Sequence, residues 1–165
     1  MNNRANSIIN IDLIKEEVVN ILKLYNPIVH TNAEEGYGWL CDGGYSITVE
    51  KNKKVILWVD LTDEITLGLG GFHEHLNLDL EGYEEFVKDL NDIVKSKTCS
   101  VCVTCNGKWI GSSYVEATDL SKERLIEEVV GEIDENIKEY GCKLECSFLD
   151  FKKDVIYEIP PVISQ

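Results

Sequence analysis

The chain has 165 residues, a formal net charge of −14, 44% hydrophobic and 28% charged residues. That length suits one domain whose core needs no disulfide or metal staple, and the composition is that of a soluble globular protein, which argues against disorder except at the ends. The charge argues against nucleic acid and anionic membrane as partners and for cationic ones, because a field of that sign repels phosphates and steers cations inward.

Asn10 or Asp12 can cap a first amphipathic helix in which Ile14, Val18, Ile21, Leu22 and Tyr25 recur at helical spacing and which ends before Pro27. Asn10 and Asp12 also interrupt the apolar residues near the N-terminus, so no signal-peptide core forms. No apolar run reaches the ~18 residues of a membrane span. The expectation is a cytoplasmic protein whose six cysteines are thiols. Residues 26–44, rich in glycine, read as a long connection with a short strand around Tyr37 to Leu40.

Tyr45, Ile47 and Val49 alternate with Ser46, Thr48 and Glu50, the period of a half-buried strand. After the polar turn Lys51 to Lys54, a second strand sets Val55, Leu57, Val59 and Leu61 on one face and Trp58 on the other. Ile65, Leu67 and Leu69 continue as a third strand, making an antiparallel meander. Gly68, Gly70 and Gly71 lack the following helix and lysine of a phosphate loop, so a bulge or room for Trp58 explains them more simply.

His73 and His75 then fall two apart, on one face if the strand persists, about 6.5 Å apart along the backbone, with Glu74 pointing the opposite way. Two imidazoles so placed can serve one divalent metal ion if further ligands arrive, by residue type Asp79, Cys41 or His30. The His-x-His step with Asp79 beyond it resembles the first metal motif of cupins. Leu67 stands where their glycine belongs, however, no second histidine motif follows, and long helices do not suit a double-stranded barrel.

Asp79 can cap a second helix carrying Tyr83, Phe86, Val87, Leu90, Ile93 and Val94. Asn106-Gly107 is a type I′ hairpin signal, which would set Cys105 opposite Lys108, Val103 opposite Ile110 and Cys99 opposite Tyr114, with Trp109 beside Thr104 on the polar face. Cys99, Cys102 and Cys105 cannot converge on a cluster in a strand, because Cys102 faces away from the other two. Ser121 caps a third helix, with Leu125, Ile126, Val129, Val130, Ile133, Ile137 and Tyr140 on its stripe and Gly141 at its end. Cys142, Leu144, Cys146 and Phe148 alternate in a last strand before Pro160-Pro161.

These elements predict a single α+β domain over 1–165, a mainly antiparallel sheet of about six strands with three helices largely on one face, and flexible ends at 1–10 and 160–165. Trp58 and Trp109 on a polar sheet face are the residue type of interface anchors. From Val55 to Val87 stand Asp60, Asp63, Glu64, Glu74, Asp79, Glu81, Glu84 and Glu85 without one Lys or Arg. The segment Asp63-Glu64-Ile65-Thr66 with Gly71-Phe72-His73-Glu74-His75-Leu76 resembles small bacterial proteins, some of them like the immunity proteins of polymorphic toxin systems. That resemblance implies a single-domain, acidic, non-enzymatic inhibitor and no catalytic residue. Together the features lead us to expect a basic protein partner, bound through Trp58, Asp60, Asp63, Glu64, Phe72, Glu74 and Trp109. A metal-binding domain or metal-dependent enzyme at His73 and His75 is the alternative.

Overall fold

A computed structural model describes residues 9–131 and 135–161. The chain divides into two compact units, one formed by residues 1–68 and 73–94, the other by residues 69–72 and 95–165. Instead of one sheet of about six strands there are two antiparallel sheets, of five and four strands.

The first unit opens with α1 (Ile11–Ile21), where the Asn10 side chain accepts the Asp12 amide and so satisfies a first-turn donor. The strand expected at Tyr37 to Leu40 is absent, and those residues form turns. The pairing strand is instead β1 (Ile28–His30), directly after Pro27. Gly36 (φ +89°) and Gly43 (φ +80°) bend the connection through the left-handed region, which breaks any strand there. The strand β2 (Tyr45–Lys51) sets Ser46 opposite His30 and Thr48 opposite Ile28.

Then β3 (Lys54–Leu61) pairs Asp60 with Ser46 and Trp58 with Thr48, so His30, Ser46, Asp60, Thr48 and Trp58 share one face. The next two strands, β4 (Glu64–Leu69) and β5 (Phe72–Asn77), complete the sheet in sequential order. Its other face carries Ile47, Val49, Leu57, Val59, Leu61, Ile65 and Leu67, all essentially buried. Asp79 caps α2 (Leu80–Val94) by accepting the Gly82 amide at 2.9 Å, and Phe86, Leu90 and Ile93 are its buried stripe. Tyr83 donates its hydroxyl to Glu17 of α1, and Tyr25 reaches the Val94 carbonyl at the far end of α2.

In the second unit, β6 (Thr98–Cys105) and β7 (Lys108–Glu116) form the expected hairpin at Asn106-Gly107, with φ +48° and +71°. Cys105 does face Lys108 and Thr104 faces Trp109. A bulge between Val103 and Thr104 then shifts the register by one, so Val103 meets Gly111 and Cys99 meets Val115 instead of Ile110 and Tyr114. The shift puts Gly111 under α3 (Lys122–Val130), where an added Cβ would lie 3.1 Å from the Val129 carbonyl oxygen.

The long third helix is broken as well. It ends at Val130, where Gly131 takes φ +75°, and α4 (Glu135–Tyr140) follows; Ile133 lies outside the described residues. A glycine that continues poorly as helix and readily turns left-handed is the physical reason. Beyond β8 (Cys142–Ser147) an unforeseen strand, β9 (Val155–Ile159), joins the edge, giving the order β7-β6-β8-β9. Cys99, Cys105, Cys142 and Cys146 all lie in the core, and all six cysteines are free thiols. Cys99 donates its S–H to Cys146, and that bond together with burial holds the Cys99 thiol protonated.

Candidate functional site

The polar face of the first sheet is built from the floor upward. Ser46 and Thr48 on β2 and Thr66 on β4 are small polar side chains, all buried, that keep the face hydrophilic without filling it. Above them stand the larger groups of β3, β4 and β5. Gly68 makes the first of these possible, because an alanine Cβ there would come within 2.1 to 2.5 Å of the Trp58 indole. The missing side chain lets the indole lie flat across the neighbouring strand.

The strand does persist through His73 and His75, and both are exposed on this face while Leu76 turns into the core. Their rings meet edge to face with centroids 5.1 Å apart, and His73 lies 6.1 Å from Trp58. His75 donates Nδ1–H to Glu64 Oε1 at 2.6 Å, and Thr66 Oγ1 lies 3.2 Å from the same nitrogen. Ser46 donates its hydroxyl to Asp60 Oδ1 at 2.6 Å. Burial holds the Asp60 carboxyl above its ordinary range, against the opposing pull of Ser46 and the His73 charge.

Trp39, from the connection between β1 and β2, joins these side chains. With Trp58, Asp60, Thr62, Glu64, Thr66, His73 and His75 it lines an open cleft of about 320 Å³. The connection is held over the sheet from one end. Tyr37 stacks on His30 at 4.0 Å and 7°, and Trp39 follows at 6.4 Å from Tyr37. His30 in turn donates Nδ1–H to Glu34 at 2.8 Å, while its Nε2 sits 3.0 Å from Thr48 Oγ1.

Of the residues expected to bind a partner, the structure brings Trp58, Asp60 and Glu64 into this cleft together with His73 and His75. It leaves four elsewhere. Asp63 is exposed in the turn before β4 and takes a hydrogen bond from Thr62. Phe72 packs edge-on against Tyr114 at 4.7 Å. Trp109, 63% exposed, belongs to β7 of the second unit. Glu74 points to the opposite face, as the strand period requires, where Asp89, Glu85 and Lys88 of α2 act on its charge. Trp39 is the residue that sequence reading missed. Tyr37-x-Trp39 was its only trace, an aromatic pair standing in a glycine-rich connection.

Thr66 and Glu64 both address the same nitrogen of His75, so they cannot form a hydroxyl-histidine-carboxylate relay, which needs the two ring nitrogens separately. The further ligands considered for a metal do not arrive. Asp79 caps α2, and His30 is engaged by Glu34 and Thr48. Cys41 sits against Gly44, which an added Cβ would bring 3.0 Å from its sulfur. Among the described residues no group of three His, Cys, Asp or Glu side chains is placed to hold a metal ion. Addition of zinc or of a chelator is therefore expected to move the melting temperature by no more than about 1 °C, since an ion without a site adds no binding free energy to the folded state. A scanning calorimeter checks this directly.

Compared with known proteins, the chain matches no family model, no curated protein and no solved structure. Among the described residues no helix is long and apolar enough to cross a membrane.

Proposed function

We propose that this chain is a non-enzymatic, acidic interaction protein that binds a basic protein partner, an immunity-type inhibitor in its mode of action. The observation that carries the reading is the cleft on the first sheet. Two tryptophans and two carboxylates share it with two histidines, and no Lys or Arg lines it. Tryptophan in a partly open, partly dry recess is the residue type that contributes most to interface affinity. Carboxylates beside it select the sign of the partner.

The wider charge pattern acts at longer range. With eight acidic residues and no Lys or Arg between Val55 and Val87, the stretch containing the cleft's strands attracts cations before contact. The cytoplasm is the compartment this reading assumes, where six free thiols stay reduced. The resemblance of Asp63 to Leu76 to immunity-type proteins supports the same reading from the sequence side.

The test is the association rate with a basic protein captured at low salt from the chain's own cells, measured by stopped flow across ionic strength. Electrostatic steering predicts a rate falling about tenfold or more from low to physiological salt, with a smaller change in dissociation. A rate that ignores salt contradicts the steering, and turnover of a substrate by the isolated chain contradicts the non-enzymatic assignment.

A further inference from the structure

Resting on the reading above, we propose that the cleft between Trp39 and Trp58 is a socket for one guanidinium group, an arginine side chain of the basic partner.

The ligand's charge follows from the carboxylates. Asp60 is half-buried and fixed from below by the Ser46 hydroxyl on Oδ1, and Glu64 is fixed by His75 on Oε1. Each anion is thus oriented by one oxygen, which leaves its second oxygen as the acceptor for an incoming donor. No Lys or Arg lines the cleft, and of its two imidazoles the one of His75 is already spent on Glu64 Oε1.

The ligand's shape follows from the rings. A planar, weakly hydrated guanidinium stacks on an indole face and presents several N–H donors in one plane, so it can meet an aromatic wall and two carboxylates at once. An ammonium group is a compact, strongly hydrated point charge that loses more on leaving water and cannot stack. A metal ion is a poor match, because Nδ1 of His75 is taken by Glu64 and no third ligand is in place. Trp58 is held in position before any ligand enters, and Trp39, 59% exposed, is tethered beside it. Trp58 lies over Gly68, and Trp39 hangs from a connection pinned by the stack of Tyr37 on His30. Such preorganisation reduces the entropy lost on binding.

The test uses the full chain labelled with ¹⁵N and a capped Gly-Arg-Gly peptide, with the lysine and the neutral citrulline peptides beside it. Three tryptophans give three indole N–H signals. The socket predicts saturable shifts of the Trp39 and Trp58 signals with that of Trp109 unmoved, at least about threefold weaker binding of the lysine peptide, and none of the citrulline peptide. Asp60→Asn should weaken the arginine peptide about tenfold. Trp39→Ala, in a connection outside the core, should weaken it too and guards against a folding defect in the first variant.

Equal response to citrulline or lysine, movement of Trp109 along with the other two, or no shift at millimolar peptide would each overturn the socket. The two readings fail separately. A basic partner captured from cells by a chain that ignores the arginine peptide removes the socket and leaves the partner. An arginine response without such a partner keeps the guanidinium site and removes the interaction protein.

Discussion

Replacing Gly68 by alanine is expected to destabilise the chain by about 1–3 kcal/mol and to empty one wall of the cleft, the range for forcing a methyl group into a filled space. The added Cβ would lie 2.1 Å from the Trp58 ring carbon Cε2 and 2.2 Å from Cζ2, far inside contact distance. β4 is an interior strand of its sheet and cannot yield, because Ile65, Leu67 and Leu69 on either side are wholly buried. The indole must therefore leave, carrying its apolar area into water and opening the floor formed by Thr48 and Thr66.

Denaturant unfolding should show a lower midpoint with an unchanged slope, and tryptophan emission of the folded variant should shift to the red. A double variant, Gly68→Ala with Trp58→Ala, should recover most of the Gly68→Ala penalty relative to Trp58→Ala alone. Two residues in direct contact couple in that way. Additive losses would mean that the clash with Trp58 is not the source of the cost.

The second large effect concerns Glu74, on the far side of the same strand from the histidines. Its Oε1 is buried without a hydrogen-bond partner, and burial, with Asp89 and Glu85 adding to it, pushes the carboxyl up to about 7 against the opposing pull of Lys88. The sign follows from proton counting. The folded state keeps the proton up to about pH 7, while the unfolded chain releases it near the ordinary glutamate value of about 4.3. Folding stability from this group is therefore present at low pH and falls as pH rises between those two values.

The full linkage amounts to roughly 3–4 kcal/mol, and partial solvent access to the side chain reduces it to about 1–2 kcal/mol. Glu74→Gln, which carries no charge at any pH, should gain that amount on the natural chain when both are compared at about pH 8 and about pH 5. Asp60, also raised by burial, is common to both chains and cancels in the difference. A difference independent of pH would show that Glu74 ionises freely in the folded state.

Much of the first unit was legible in the sequence because its strands alternate strictly. Leu57, Val59 and Leu61 against Trp58 and Asp60, and His73 with His75 against Glu74, all follow from a two-residue period. The cap at Asp79 and the choice of Asn10 or Asp12 for the first helix were readable from residue type, and of the two explanations open for Gly68, a bulge or room for Trp58, the structure takes the second. What escaped depended on events that a period does not encode. The bulge at Val103 and Thr104 displaced every pair predicted beyond it, since one extra residue moves a whole strand by one position. Gly131 ended a helix whose apolar stripe continues past it. The division of the strands into two sheets is a matter of long-range pairing, on which local patterning is silent. Trp39 entered the cleft through a turn-rich connection, where neither a helical nor a strand period exists to indicate which way a side chain points.

Native mass spectrometry of the chain captured from its own cells at low ionic strength, with Asp60→Asn carried through the same procedure, decides whether the cleft binds a basic protein. The natural chain should appear in a stoichiometric complex with a basic protein that dissociates as salt is raised and that Asp60→Asn weakens about tenfold. A lone chain bearing one metal ion, or a complex that Asp60→Asn and high salt leave intact, would contradict that expectation.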